Sequence, residues 1–231
     1  MDGSLSTRVT AQSPAATHTV DCVVFGFAEG ELRVLLVRRA VEPFAGQWVL
    51  PGGAMAADQT LEDTGQRVLR ELVGVSNLQL TQVATYSAPD RHPVRRVVTT
   101  TYYALVRPEH HTPVARGYLS EAAWHRLTEL PPLGFDHREL LDDAWMRLTV
   151  HLRTRPLAFA LLPDDFTLSE VQQLYEEILG EPLDRRNFRR KVLAYDFLID
   201  TGAKRSGVKG GPAVYRSDAV LLQRALATPH D

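Results

Sequence analysis

Cysteine is nearly missing from this 231-residue chain: Cys22 stands alone, inside an apolar run. That excludes a disulfide framework within one chain and a cysteine-ligated zinc site, and it points to a reducing, cytoplasmic compartment. Long hydrophobic runs are missing too. Nothing approaches the roughly 20 apolar residues that span a bilayer, so no membrane partner is expected. The opening stretch, MDGSLSTRVTAQSPAATHT, lacks the apolar centre of a signal peptide and offers little to bury, so residues 1–18 read as a disordered tail. Net charge is small, with 26 Lys and Arg against 28 Asp and Glu. Over the whole chain this argues against wholesale nucleic-acid binding, but a sum can hide local asymmetry. The eight histidines are scattered. Even His110 and His111 lack a partner pattern at metal-ligand spacing, so no metal and no cofactor is assigned.

What remains is an ordinary globular composition, 44% apolar and 23% charged, in a chain long enough for two small domains. Order is expected from about Val20. VDCVVFGF reads as a buried strand, Glu29-Gly30-Glu31 as a turn and LRVLLVRR as the hairpin partner. A helix is expected from Thr60 to Leu72, with Leu61, Val68, Leu69 and Leu72 on one face. LQLTQVATYS and RRVVTTTYYALV read as further strands. Asp136 is the expected N-cap of a helix through Leu152. Strands with helices between and after them make an α/β sandwich.

The rhythm changes in TRPLAFALLPDD, between Thr154 and Asp165, where two prolines mark a boundary. Beyond it, Thr167 or Ser169 caps TLSEVQQLYEEIL, and Gly180 stops it. Asp184 caps a second helix, RRNFRRKVLAYDF. Helix, short turn, helix is the helix-turn-helix pattern. LIDTG and AVYRS follow as two strands joined by a glycine-rich basic tip, and SDAVLLQRAL closes as a last helix.

The segment Gly53–Val75, GAMAADQTLEDTGQRVLRELVGV, resembles the Nudix box. That family's pattern is a glycine, a glutamate six positions on, and then R-E-U-x-E-E-x-G-U, with U aliphatic. Gly53, Arg67, Leu69, Glu71, Gly74 and Val75 match without a gap, and Trp48 to Gly53 fits the preceding W-x-L-P-G-G. Gln59, Val68 and Leu72 stand where the pattern has glutamates. In the family those acids hold magnesium against substrate phosphates. One acid between two aliphatics does not replace that cluster, so the reading is a non-enzymatic domain. An active Nudix hydrolase of ADP-ribose-type pyrophosphates is the alternative.

A pocket can outlast its metal. Its expected liners are Arg38 and Arg39 at the end of the second strand, Trp48, the Gly52-Gly53 turn, and the proline-flanked Asp90, Arg91 and His92. Arg67 and Glu71 belong to the effector set, though the pair also reads as an ordinary i,i+4 helix contact. The glycines also read as turn residues supplying positive φ.

Between positions 183 and 216 the chain carries nine Lys and Arg against three acids. Arg185, Arg186 and Asn187 open the second helix, and Arg189 and Arg190 continue its outer face. Recognition helices read base edges from their N-terminal residues, where arginine suits guanine and asparagine suits adenine. Lys204, Arg205 and Lys209 at the basic tip suit phosphate or minor-groove contact. Phe188 and Tyr195 read as core.

Taken together, the chain resembles the Nudix-related transcriptional regulators of the NrtR type and their sugar-sensing relatives. VDCVVFGF, the eroded box, APDRHPVRRVV, FTLSEVQQLYEEILGEPLDRRNFRRKVL and the basic wing carry the likeness. It implies a Nudix-like α/β/α sandwich over 19–154 and a winged helix-turn-helix domain over 155–231. It also implies a homodimer on a double-stranded DNA operator, controlled by a small effector, ADP-ribose or a sugar such as a pentose.

Overall fold

A computed structural model describes residues 15–205 and 210–227. Seven strands form one sheet: β1 (Thr17–Ala28), β2 (Glu31–Arg39), β3 (Trp48–Val49), β4 (Gly52–Ala54), β5 (Thr81–Tyr86), β6 (Val97–Val106) and β7 (Leu119–Arg126). The order is β3-β2-β1-β6-β5, with β4 on β1 and β7 on β2. Only β1 and β6 run parallel; the other pairs are antiparallel.

The apolar run of β1, broken only by Asp21, follows from its central place. A strand covered on both faces has no solvent side to alternate with. Val20, Cys22 and Val24 pack with Leu69 and Val73 of the box segment, while Val23 and Phe25 pack with Leu140, Leu141 and Leu148 of α2 (His137–Thr154). Helices therefore cover both faces, as a sandwich requires. The single thiol, Cys22, is buried, and burial pushes its pKa up.

Several boundaries differ from expectation. β1 starts at Thr17, so Thr17 and His18 of the expected tail are strand, paired with Val97 and Val98. The box helix α1 (Leu61–Val68) passes into a π-helical turn, Leu69–Val73, closed by Gly74 in the left-handed region. α2 runs two residues past Leu152, and Asp136 makes no side-chain cap bond because Arg91 occupies its carboxylate. Strand β7 was not anticipated.

The proline-bounded segment 154–165 contains a 3-10 helix, Leu157–Leu161, whose Leu157, Ala158, Phe159 and Leu161 are buried. These residues join the same apolar cluster as Val23, Phe25 and α2. α3 (Leu168–Leu179) begins at a capping box made by Thr167 and Glu170 and ends at left-handed Gly180. Asp184 caps α4 (Arg185–Val192), which stops five residues short of the expected Phe197. β8 (Leu198–Lys204) and β9 (Ala213–Ser217) form the wing, and α5 (Ala219–Ala227) follows. Among the described residues no helix is long and apolar enough to cross a membrane.

Candidate ligand cavity and nucleic-acid interface

At the end of the sheet where β1 begins, a cavity of about 870 Å³ opens between the strands, the 91–95 loop and the N-terminus of α2. Arg39 sits in its wall. Its guanidinium lies 5.3 Å from the ring centroids of both Tyr118 and Phe135, and its Nε donates to the Pro43 carbonyl at 2.7 Å. Phe135 stacks between His92 and His137, at 5.4 and 5.2 Å. The result is a column of stacked rings with a cation held against it, an arrangement favourable for planar and anionic ligand groups.

The floor is polar and buried. Arg91 grips Asp136 through two bonds, Nε to Oδ2 at 2.9 Å and Nη2 to Oδ1 at 2.8 Å, and approaches Asp21 Oδ2 at 3.7 Å. Thr99 donates to the same Asp21 oxygen at 2.7 Å. His137 accepts the Leu50 N–H at Nδ1, and burial holds its pKa below the usual imidazole value against the nearby Asp21. His92, at the rim, is shifted the same way by burial and by Arg95, Arg91 and Arg39.

Of the residues expected from sequence, Arg39, Gly52, Gly53, Arg91 and His92 line this cavity. Arg38 does not, because successive residues of a strand point to opposite faces; its Nε instead donates to the Gly46 carbonyl, and it approaches Glu121. The same alternation gives Val49 to the cavity and turns Trp48 onto His125. Asp90 is exposed in a turn. Arg67 and Glu71 sit on the box segment, where Arg67 donates to Gln59 Oε1 and to the Ala54 carbonyl and pairs with Glu71. Gln59 thus serves as a neutral acceptor for Arg67 at the first glutamate position. Val68 is buried, and Leu72 packs against the apolar cluster on that face. Gly52 and Gly53 are strand residues without positive φ, contrary to the turn reading. What they supply is space: a Cβ on Gly52 would meet Asp21 Oδ1 at 2.0 Å, and one on Gly53 would meet Val68 at 2.9 Å.

Asp21, Tyr118, Phe135 and His137 were not anticipated. Asp21 had a readable signal, as the one acid inside VDCVVFGF. A carboxylate is not buried in a strand without partners.

The second surface lies on α4. Arg185, Arg186 and Asn187 are exposed at its start, with the Asp184 side chain accepting the Asn187 N–H at 2.8 Å. Arg190 follows on the exposed side and donates to Asn187 Oδ1, while Arg189 is half-buried. Phe188 packs on Tyr175 and belongs to the core margin, as expected. Lys204 is exposed at the end of β8. Arg205 is turned back onto Glu170 of α3 and so staples the wing to that helix. Lys209 lies outside the described residues.

Residues 16–144 match the family model of the NUDIX domain, and residues 158–217 match that of the NrtR DNA-binding winged helix domain. The chain is 32% identical over 207 residues to the ADPR responsive transcriptional repressor NtrR of Acinetobacter baylyi, a match covering 88% of this chain and 82% of that protein. The crystal structure of Shewanella oneidensis NrtR complexed with a 27mer DNA superposes with a TM-score of 0.78 at 34% identity, covering 89% of this chain and 95% of that one. The NUDIX domain of the same Shewanella protein, complexed with ADP ribose, gives a TM-score of 0.55 at 34% identity over 59% of this chain and 90% of that one.

Proposed function

Since this chain belongs to the NrtR family of Nudix-domain transcriptional regulators, we propose that it is a repressor whose hold on operator DNA is controlled by ADP-ribose. One observation carries the reading: a single chain joins an exposed arginine-rich helix start, Arg185 to Asn187, to a cavity walled by Arg39 and flat aromatic rings. The cavity's volume falls within the roughly 300–1,000 Å³ of small-molecule sites. Arg39 and Arg95 suit the pyrophosphate, and Tyr118 and the rim ring of His92 suit a planar base. A free pentose would use fewer of these groups, and is the narrower alternative effector.

The domain senses its ligand rather than hydrolysing it. The family's magnesium does not fit the residues present: a buried Val68, a Glu71 paired with Arg67 and Arg70, and Leu72 offer one carboxylate where the metal needs several oxygens. The regulator acts as a homodimer, because a two-fold protein matches a palindromic operator whose half-sites are set by helical turns.

The test is a mobility-shift titration on the promoter beside the protein's own gene. Binding should weaken steeply as salt rises, through counterion release, and ADP-ribose should release the DNA. Arg185→Ala or Asn187→Ala should relax sequence preference, each contact discriminating by about 1–3 kcal/mol, whereas Lys204→Ala should weaken binding to all sequences alike. A uniform effect of all three would remove the recognition role of α4. Release of AMP from ADP-ribose with magnesium, lost in Glu71→Gln, would favour the hydrolase instead.

A further inference from the structure

Two buried groups at the inner end of the cavity hold hydrogen-bonding capacity that the protein leaves unused. His137 is only 5% exposed, and its Nδ1 accepts the Leu50 N–H at 2.9 Å. A neutral ring bonded in this way carries its proton on Nε2. That nitrogen lies 3.7 Å from Asp21 Oδ1, beyond the roughly 2.7–3.2 Å of an N–H···O bond. Asp21 is 6% exposed and commits Oδ2 to Thr99 and to the approach of Arg91. Its Oδ1 makes no hydrogen bond among the described residues. A donor and an acceptor therefore lie side by side, too far apart to bond each other, and both residues line the cavity, so that one atom on the cavity side can meet both.

We propose that His137 and Asp21 together read a sugar hydroxyl of the effector: its oxygen accepts from His137 Nε2, and its hydrogen goes to Asp21 Oδ1. The chemistry of the pair selects this group. A hydroxyl donates and accepts through one atom. A phosphate oxygen or a carbonyl would bring a second acceptor against the Asp21 carboxylate, and an ammonium would leave the His137 proton unmet. Phosphates therefore belong at the Arg39 and Arg95 end, and the polyol at the buried floor. Mechanically the pair is stiff. Thr99 on β6 and Arg91, itself locked onto Asp136, hold the carboxylate; the Leu50 backbone and the Phe135 stack hold the ring. A pre-set donor and acceptor lose little freedom when the ligand arrives.

This inference rests on the cavity being the effector site, and the experiment separates the two. The full chain is titrated calorimetrically with ADP-ribose and with analogues that each lack one ribose hydroxyl. One analogue should bind about tenfold to a hundredfold more weakly, as expected for losing a hydrogen bond to a charged group. In His137→Asn the side-chain oxygen still accepts from Leu50, but the Nε2 donor is gone. There, ADP-ribose should fall to the affinity of that analogue, while the analogue itself binds as before. Equal binding of every analogue to the unaltered chain, as when a water takes the hydroxyl's place, overturns the hydroxyl reading and leaves the effector site standing. So does a variant that weakens all ligands by one factor, which is the mark of a structural role. If ADP-ribose does not bind the unaltered chain at all, both readings fall. The analogue series on that chain needs no variant, and decides alone if His137→Asn does not fold.

Discussion

An aspartate inside an apolar strand is tolerated only where its charge is met, and Asp21 shows how narrowly that can be arranged. Its carboxylate has Thr99 on one oxygen, Arg91 nearby, and the bare α-carbon of Gly52 beneath the other. The glycine is there for room: a β-carbon would sit 2.0 Å from Oδ1. Asp21 cannot simply swing aside, because both its strand and its partners are buried. Gly52→Ala should therefore cost about 1–3 kcal/mol, the range for overpacking a filled interior, and should also weaken ligand binding at the floor. Denaturant midpoints for wild type and variant test this; an unchanged midpoint would mean that the carboxylate has freedom its hydrogen bonds do not suggest. Sequence made part of this site legible. Arg39, Arg91, His92, Gly52 and Gly53 could be reached by following the box and its flanking loops. The adjacent Arg38 and Trp48 could not be sorted from Arg39 and Val49, because that depends on which strand face meets the cavity. Phe135 and His137 come from a distant helix start, where a short aromatic and polar string gives no local sign of what it will face.

Local chemistry decided the elements best where it was strongest. α3 was readable to within two residues at its start, where Thr167 and Ser169 both offer a cap, and at its end, where Gly180 takes a left-handed turn. β7 was not, since LSEAAWHR lacks alternation, sits half-exposed and, among the described strands, pairs with β2 only. The π-turn after α1 was equally hidden: VLREL suits a continuous α-helix, and the wider turn depends on how Leu69 and Val73 pack below the sheet. Two candidates for the α3 cap, Thr167 and Ser169, were indistinguishable on composition. In the fold Thr167 is buried and accepts the Glu170 N–H, while Ser169 is exposed in the first turn. Thr167→Ala should thus lower stability by about 1 kcal/mol, and Ser169→Ala by no more than a few tenths. The urea midpoint should move in the first and stay in the second, at constant slope. Because Glu170 also receives Arg205 from the wing, loss of the cap should loosen the wing as well. Faster amide exchange in β8 would register that.

At the scale of the molecule, the two sequence-matched regions share an interior. The 3-10 helix Leu157–Leu161 and Phe166 belong to the same buried cluster as Val23, Phe25 and Leu36 on one side and Leu174, Ile178 and Phe197 on the other. Phe159 anchors the winged-helix side of that shared cluster, with the Phe166, Tyr195 and Phe197 rings all within 5.8 Å. Ion pairs also cross the seam, Arg107 with Asp164 and Arg153 with Glu181, but exposed pairs contribute at most about 1 kcal/mol each. The apolar continuity decides the outcome. A linker would let each half melt alone, whereas a shared core ties their unfolding together. Differential scanning calorimetry should therefore show one transition, with calorimetric and van't Hoff enthalpies in agreement. Phe159→Ala should cost about 3–5 kcal/mol and should lower that single transition as a whole. ADP-ribose, bound only by the folded cavity, should raise it as a whole by mass action. Two resolved transitions, with only the first answering to ligand, would mean that the seam is weak and that a signal from the cavity reaches α4 by some route other than this core.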